Sequence, residues 1–259
     1  MGEWFSRSEA LLGGEAMARL QAARMLVVGV GGVGSWCAEA LVRTGLGKIT
    51  LVDDDVVAES NVNRQCPATA ATVGRAKVEA MAERLRAINP RCEIEARVER
   101  FTRSFSESSD SRSSRITSLA RYDLVVDAID SVDCKAELIL AATEAGVPVV
   151  SSMGAALRTD PTKVKVTRFE KVEGDGLARA LRQRFKKLHR FPKGKFSCVW
   201  SSEPPISNTE TRRHREDVKG SVSPCLCVKN KGSLMQVTAT FGMCLASEAI
   251  RILTKGETR

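Results

Sequence analysis

At 259 residues with 43% hydrophobic content, the chain is long enough to bury a sizeable core and sits at the upper end of what one domain usually holds. Its 40 Lys and Arg outnumber 31 Asp and Glu, and the resulting net charge of +9 favours a polyanionic partner such as nucleic acid. Eight cysteines without a visible secretory signal read as reduced thiols in the cytoplasm rather than a disulfide framework, and no run approaches the ~18 apolar residues that a bilayer needs, so no membrane partner is expected.

A helix is predicted over 9–21, ahead of an apolar strand near 25–30. The run Val28-Gly29-Val30-Gly31-Gly32-Val33-Gly34-Ser35 then supplies a tight turn whose backbone approaches a phosphate, and it opens a helix over 34–44 whose N-terminus would hold that phosphate. Gly29, Gly31 and Gly34 alone also fit the dinucleotide fingerprint of many dehydrogenases. A second apolar strand near 48–53 ends at Asp53, placed to read a ribose. A dehydrogenase needs no cationic cluster after that point, because hydride transfer leaves the phosphates intact. Here Arg64 and Lys77 follow, and fixed cations have a duty when charge builds on phosphate oxygens during phosphoryl or nucleotidyl transfer. Chemistry at ATP is the better reading; the bland one makes both residues solvated surface charges.

A helix is predicted over 75–88, apolar at Val78, Met81, Ala82, Leu85 and Ile88 and stopped by Asn89-Pro90. Strands near 92–98, 123–127 and 147–151 alternate with a helix near 133–145. The expected fold is α/β, a Rossmann-like, doubly wound and mostly parallel sheet. The serine-thick stretch 103–118, with Arg103, Arg112 and Arg115, reads as a flexible surface insertion. Beyond 151, strands near 164–169 and 196–200 are expected to extend the sheet in antiparallel fashion, before a polar loop at 207–223. Between those strands Leu177, Leu181, Phe185 and Leu188 recur at helical spacing, while Arg179, Arg182, Arg184, Lys186, Lys187 and Arg190 crowd the other faces. Such a helix either grips nucleic-acid phosphates or presents an ordinary solvated face.

The patterns G-x-G-G-x-G-S at 29–35, D-x-D-x-V-x-x-S-N-x-N-R-Q at 53–65 and G-x-x-K at 74–77 stand together with the D-A-x-D of 127–130. As a set they resemble the ubiquitin-activating-enzyme-like superfamily of ATP-dependent carboxylate activators, the ThiF/MoeB type. Phe5-Ser6-Arg7-Ser8-Glu9, Ile88-Asn89-Pro90, Ser202-Glu203-Pro204-Pro205 and Val237-Thr238-Ala239-Thr240-Phe241-Gly242 narrow the resemblance to the tRNA threonylcarbamoyladenosine dehydratase family. Relatives that adenylate sulfur-carrier proteins usually hold zinc between two C-x-x-C pairs, and none of the eight cysteines is spaced that way.

The resemblance implies one ThiF-type ATP-binding domain over 1–259, with a nucleotide-binding core at 1–151 and a substrate-side extension and C-terminal helix at 152–259. It implies ATP-dependent activation of the threonylcarbamoyl carboxylate on tRNA and its cyclisation with loss of water. The alternative is an adenylyltransferase for the C-terminus of a ubiquitin-like sulfur-carrier protein. Residue by residue, Gly31, Gly32, Gly34 and Ser35 would form the phosphate cradle, Asp53 would take the ribose hydroxyls, Asn61, Arg64, Gln65 and Lys77 the triphosphate, and Gly29 and Asp55 would complete the cofactor-binding set. Asp130 would hold Mg2+ or orient the α-phosphate. Arg7 would reach the γ-phosphate of a partner subunit, making a functional homodimer and completing a catalytic set of Arg7, Arg64, Lys77 and Asp130. Arg179, Arg182, Lys186 and Lys187 become the expected tRNA contacts. Cys227 is placed for sulfur handling or for contact with a cysteine desulfurase system, or is a reactive surface thiol, since the dehydration needs none. With only His189 and His214 in the chain, a histidine base is not expected.

Overall fold

β1 (Arg24–Val28) is apolar on both sides, and the reason is its place at the centre of a sheet covered twice. Met25 and Val27 enter one core while Leu26 and Val28 enter the other, following the two-residue alternation of a strand. In the computed structural model, which describes residues 3–101, 119–206 and 232–255, seven strands form one sheet in the order β3-β2-β1-β4-β5-β7-β6. β2 (Lys48–Val52), β3 (Glu93–Arg97), β4 (Leu124–Asp127), β5 (Val149–Ser152) and β7 (Ser197–Ser201) run parallel with β1 through successive neighbours; β6 (Val164–Arg168) closes the edge antiparallel to β7. This is the expected Rossmann-like arrangement, with the antiparallel pair in the C-terminal half. The insertion at 103–118, the loop at 207–223 and Cys227 lie outside the described residues.

The first core takes α2 (Gly14–Ala22), α3 (Gly34–Thr44), α4 (Lys77–Ile88) and α7 (Met235–Thr254); the second takes α5 (Val132–Glu144) and α6 (Gly176–Leu188). The single helix expected over 9–21 is instead two, α1 (Ser6–Leu12) and α2, because the chain turns at Gly13 with φ +83°, a conformation that breaks the helical ladder. α7 also departs from expectation. Among the described residues it is the one helix long and apolar enough to cross a bilayer. Its apolar side is taken up by the fold: Val237, Phe241, Leu245 and Ala249 are buried at helical spacing, and a Cβ at Gly242 would lie 2.6 Å from the Val33 carbonyl of the turn that leads into α3. Its Glu248 accepts from Ser197 Oγ at 2.6 Å and from Arg251 at 2.7 Å.

Two buried polar groups tie these layers together. At the end of β4, Lys135 Nζ donates to Asp127 Oδ2 at 2.7 Å with both side chains 0% exposed, and Ser151 Oγ of β5 donates to the same oxygen at 2.6 Å. In the other layer Glu39 of α3 accepts from Arg84 of α4 at 2.6 Å, from Arg43 at 2.8 Å and from Cys66 Sγ at 2.8 Å. Burial alone would raise the Glu39 carboxyl, but these three partners outweigh it and hold it at about 2.

A carboxyl depressed from 4.5 to about 2 contributes stability that is present above the ordinary value and lost as the pH falls through the folded one. Glu39→Gln is therefore expected to be less stable than the parent at neutral pH, with a gap that shrinks between about 4.5 and about 2 in urea titrations at stepped pH. A gap constant across that window would assign the loss to packing instead.

Candidate active site

The strand order reverses between β1 and β4, with β2 and β3 on one side and β5 and β7 on the other, so the loops leaving β1 and β4 diverge. Such a switch point opens a crevice at the carboxyl ends of the strands. A cavity of about 790 Å³ fills it, room for a nucleotide and a second reactant. One end is lined from the β1 and β2 side by Gly31, Gly32, Asp53, Arg64 and Lys77; the other, from the β5 and β7 side, by Gly154, Arg158, Asp175 and Ile206.

The glycine turn divides its labour. Gly29 has φ +91°, and a Cβ there would sit 2.6 Å from the Ala128 carbonyl; one at Gly34 would sit 1.9 Å from the Gly29 carbonyl. These two let the turn close against the loop after β4 and against its own helix. Gly31 and Gly32 face the cleft, and a Cβ at Gly31 would meet nothing nearer than Gln65 Nε2 at 3.9 Å, so the space over it is left for something other than protein. Ser35 and Gly34, expected in the phosphate cradle, do not line the cleft. Ser35 is wholly buried, and its hydroxyl donates to the Gly31 carbonyl at 2.6 Å while accepting from Cys66 N at 3.1 Å. The first closes the turn on its own helix, and the second braces it against the segment that carries Arg64 and Gln65.

Across the turn, Asp53 accepts from Val30 N at 2.6 Å and from Asp55 N at 2.9 Å; burial nevertheless raises its carboxyl above the ordinary value. Lys77 opens α4 with its side chain only 7% exposed, and its Nζ donates to Asp55 Oδ2 at 2.6 Å. Arg64 donates to the Ser60 carbonyl and to Asn63 Oδ1, each at 2.8 Å, and its own carbonyl accepts from Trp36 Nε1 at 2.9 Å. Asn61 Oδ1 accepts from Ala58 N at 3.1 Å, and Gln65 Oε1 is buried with no partner among the described residues. Asp130 is exposed on the loop after β4 and also lines the cleft. The sequence-derived set is thus brought together at one end of the cavity, apart from Gly34, Ser35 and Arg7. Arg7 is exposed on α1 and does not line the cleft.

The basic helix α6 sorts its cations. Arg182 is not a free phosphate ligand: its guanidinium donates to the Phe169 and Val172 carbonyls at 3.0 and 2.7 Å and lies 4.9 Å from the Phe169 ring centre. Arg184 pairs with Asp133 and Arg190 with Glu137 and Glu144. Arg179, Lys186 and Lys187 remain exposed. Sequence reasoning missed Arg158, a buried arginine at the far end of the cleft. It follows an apolar run and carries no periodic or motif signal; only its juxtaposition with Asp175 reveals it.

The ThiF family profile matches residues 5–259. The chain is 39% identical to the tRNA threonylcarbamoyladenosine dehydratase of Escherichia coli over 95% of this chain and 92% of that protein. It is 37% identical to the one of Haemophilus influenzae over 93% and 89%. A crystal structure of the Escherichia coli tRNA N6-threonylcarbamoyladenosine dehydratase in complex with ATP superposes with a TM-score of 0.80 at 36% identity, over 98% of this chain and 94% of that one. The chain therefore belongs to the ThiF family, in the branch that holds the tRNA threonylcarbamoyladenosine dehydratases.

Proposed function

We propose that the protein uses ATP to activate the free carboxylate of the threonylcarbamoyl group on a tRNA adenosine, then closes that group into a ring with net loss of water. The observation that carries this reading is one cleft with a glycine turn, Arg64 and Lys77 at one end and the buried Arg158 at the other, in a chain similar to dehydratases over nearly its whole length. Hydroxide is a poor leaving group, so the carboxylate oxygen must first attack a phosphorus of ATP, displacing pyrophosphate if an acyl adenylate forms or ADP if an acyl phosphate forms. The neighbouring carbamoyl nitrogen or oxygen then attacks the activated carbonyl, and the departing AMP or phosphate takes the carboxylate oxygen with it. The second step is intramolecular and needs positioning more than an acid or base.

In this assignment the backbone at Gly31 and Gly32 receives the phosphates, Asp53 takes the ribose hydroxyls, and Asn61, Arg64, Gln65 and Lys77 meet the triphosphate. The buried Lys77 would exchange a partner that is 66% exposed, Asp55, for a phosphate. Asp130, an exposed carboxylate beside the cradle, suits a hard cation: it would hold Mg2+, which supplies charge neutralisation at the phosphates, or orient the α-phosphate. Arg7, exposed and off the cleft, would act on the partner subunit of a homodimer. The tRNA would lie against Arg179, Lys186 and Lys187, in the cytoplasm.

The direct test is incubation with ATP, Mg2+ and tRNA bearing threonylcarbamoyladenosine, followed by digestion and mass spectrometry for loss of one water. Arg64→Ala and Lys77→Ala are each expected to lower that turnover about 100- to 1,000-fold with the fold intact by circular dichroism. Turnover within a few-fold of the parent for both would refute the triphosphate assignment.

Mixing Arg7→Ala and Lys77→Ala chains, each inactive alone, is expected to return about a quarter of parental activity after statistical exchange, because each heterodimer regains one of its two sites. No recovery, with heterodimers confirmed by native mass spectrometry, would remove Arg7 from a shared site.

Charge reversal at Arg179 and Lys186 is expected to weaken tRNA binding and to reduce its salt slope by about one unit for each phosphate that is no longer neutralised, with ATP affinity unchanged. Filter binding across a salt series reads this directly, and an unchanged slope would return α6 to the role of a solvated face.

A further inference from the structure

We infer that Arg158 binds the substrate's free carboxylate and presents it for activation; the inference rests on the function proposed above. Arg158 is 4% exposed, and its Nη2 lies 3.5 Å from Asp175 Oδ2, which balances its charge without a short hydrogen bond. Its Nε and Nη1 have no hydrogen-bond partner among the described residues. Buried guanidinium donors are satisfied in nearly all folded proteins, and leaving them bare is costly. Asp175 is oriented by other groups, its Oδ1 accepting from Ala178 N at 2.9 Å and its Oδ2 from Gly154 N at 3.2 Å, and only Nη2 of the guanidinium approaches it.

The backbone beside Arg158 is held in an unusual conformation. Leu157 has φ +61°, a region that costs a branched residue strain, and it is pinned there on both sides. Its N–H donates to the Gly232 carbonyl and its carbonyl accepts from Ile206 N, each at 2.9 Å. Strain of this kind persists where the surroundings over-determine the position, and here it fixes the point from which Arg158 enters the cleft wall.

Position decides what the free donors receive. Arg158 follows β5, beyond β4 from the glycine turn, whereas Arg64 and Lys77 approach from the β1 and β2 side. A triphosphate in the cradle already has those two cations. The second anion in the reaction is the carboxylate that attacks it, and two anions approaching each other need a fixed positive charge between or behind them. A guanidinium matches a carboxylate in shape and charge, and one that is buried and held only loosely by Asp175, at 3.5 Å, keeps donors in place for the arriving carboxylate.

The test uses the full-length protein with two variants. Arg158→Gln removes the charge, and Arg158→Lys keeps a cation beside Asp175 so that folding is preserved if the first variant is unstable. Both are expected to raise KM for threonylcarbamoyl-tRNA about 30-fold or more. The lysine variant is expected to be the milder, and KM for ATP should stay within about threefold of the parent. In thermal-shift titrations with AMP present, the parent should be stabilised by threonylcarbamoyladenosine nucleoside and not by its methyl ester, and Arg158→Gln should lose that distinction. A parallel rise in KM for ATP would make Arg158 a phosphate ligand and overturn the inference, as would a parent that treats acid and ester alike. If the parent itself turns over no modified tRNA, the proposed function falls and takes this inference with it; parental turnover with unchanged KM for tRNA in both variants overturns this inference alone.

Discussion

The buried pair of Lys135 and Asp127 is the constraint on which the site depends. Two opposite charges with no exposed surface, 2.7 Å apart, are tolerable only in one arrangement, because separating them leaves a naked charge in the interior at a cost of several kcal/mol. That arrangement joins the end of β4 to α5 and, through Ser151, to β5. The remaining Asp127 oxygen accepts from Ile129 N at 3.2 Å and so shapes the loop that presents Asp130. The same loop places the Ala128 carbonyl where only a glycine at position 29 can pass. The turn over which a nucleotide would lie is therefore set by an ion pair that never touches it.

A second consequence concerns thiols. Burial, with Glu39 beside it, pushes the Cys66 thiol up to about 12; burial likewise raises Cys92 to about 12 and lifts Cys37 and Cys198 beyond the usual thiol range. None of these four is a nucleophile near neutral pH. Cys66 sits one residue from Gln65, yet its work is to donate a hydrogen bond to Glu39.

Much of this was legible in the amino-acid order. The central parallel strands β1, β2, β4 and β5 announced themselves as apolar runs because both faces are covered, and the glycines at 29 and 34 because backbone from elsewhere occupies the space a Cβ would need. The cationic residues at 64 and 77 could be assigned to one site because they accompany those glycines in a fixed spacing. What escaped was direction and partnership. Helical spacing runs on through Gly13 although its φ does not permit a helix. Ser35 follows the turn directly but points inward to Cys66, and Arg182 stands among five other cations yet is the one that folds back on two carbonyls. Arg158 was illegible for a simpler cause: its meaning lies in Asp175, and no pattern within either neighbourhood relates the two.

The close approach of Gly242 to Val33 has a bearing on how the chain comes off the ribosome. Val33 belongs to the glycine turn and leads into α3, while Gly242 lies on α7, which is translated much later. Thr238 of α7 also borders the cleft and stands 3.4 Å from where a Gly32 Cβ would be. Until α7 emerges, the side of α3 turned towards it has no cover and the cleft lacks part of its wall, so a partly made chain exposes apolar surface and presents no finished site. Pairings of such long sequence separation form slowly. They also mean that the cleft is not complete before α7 has been made.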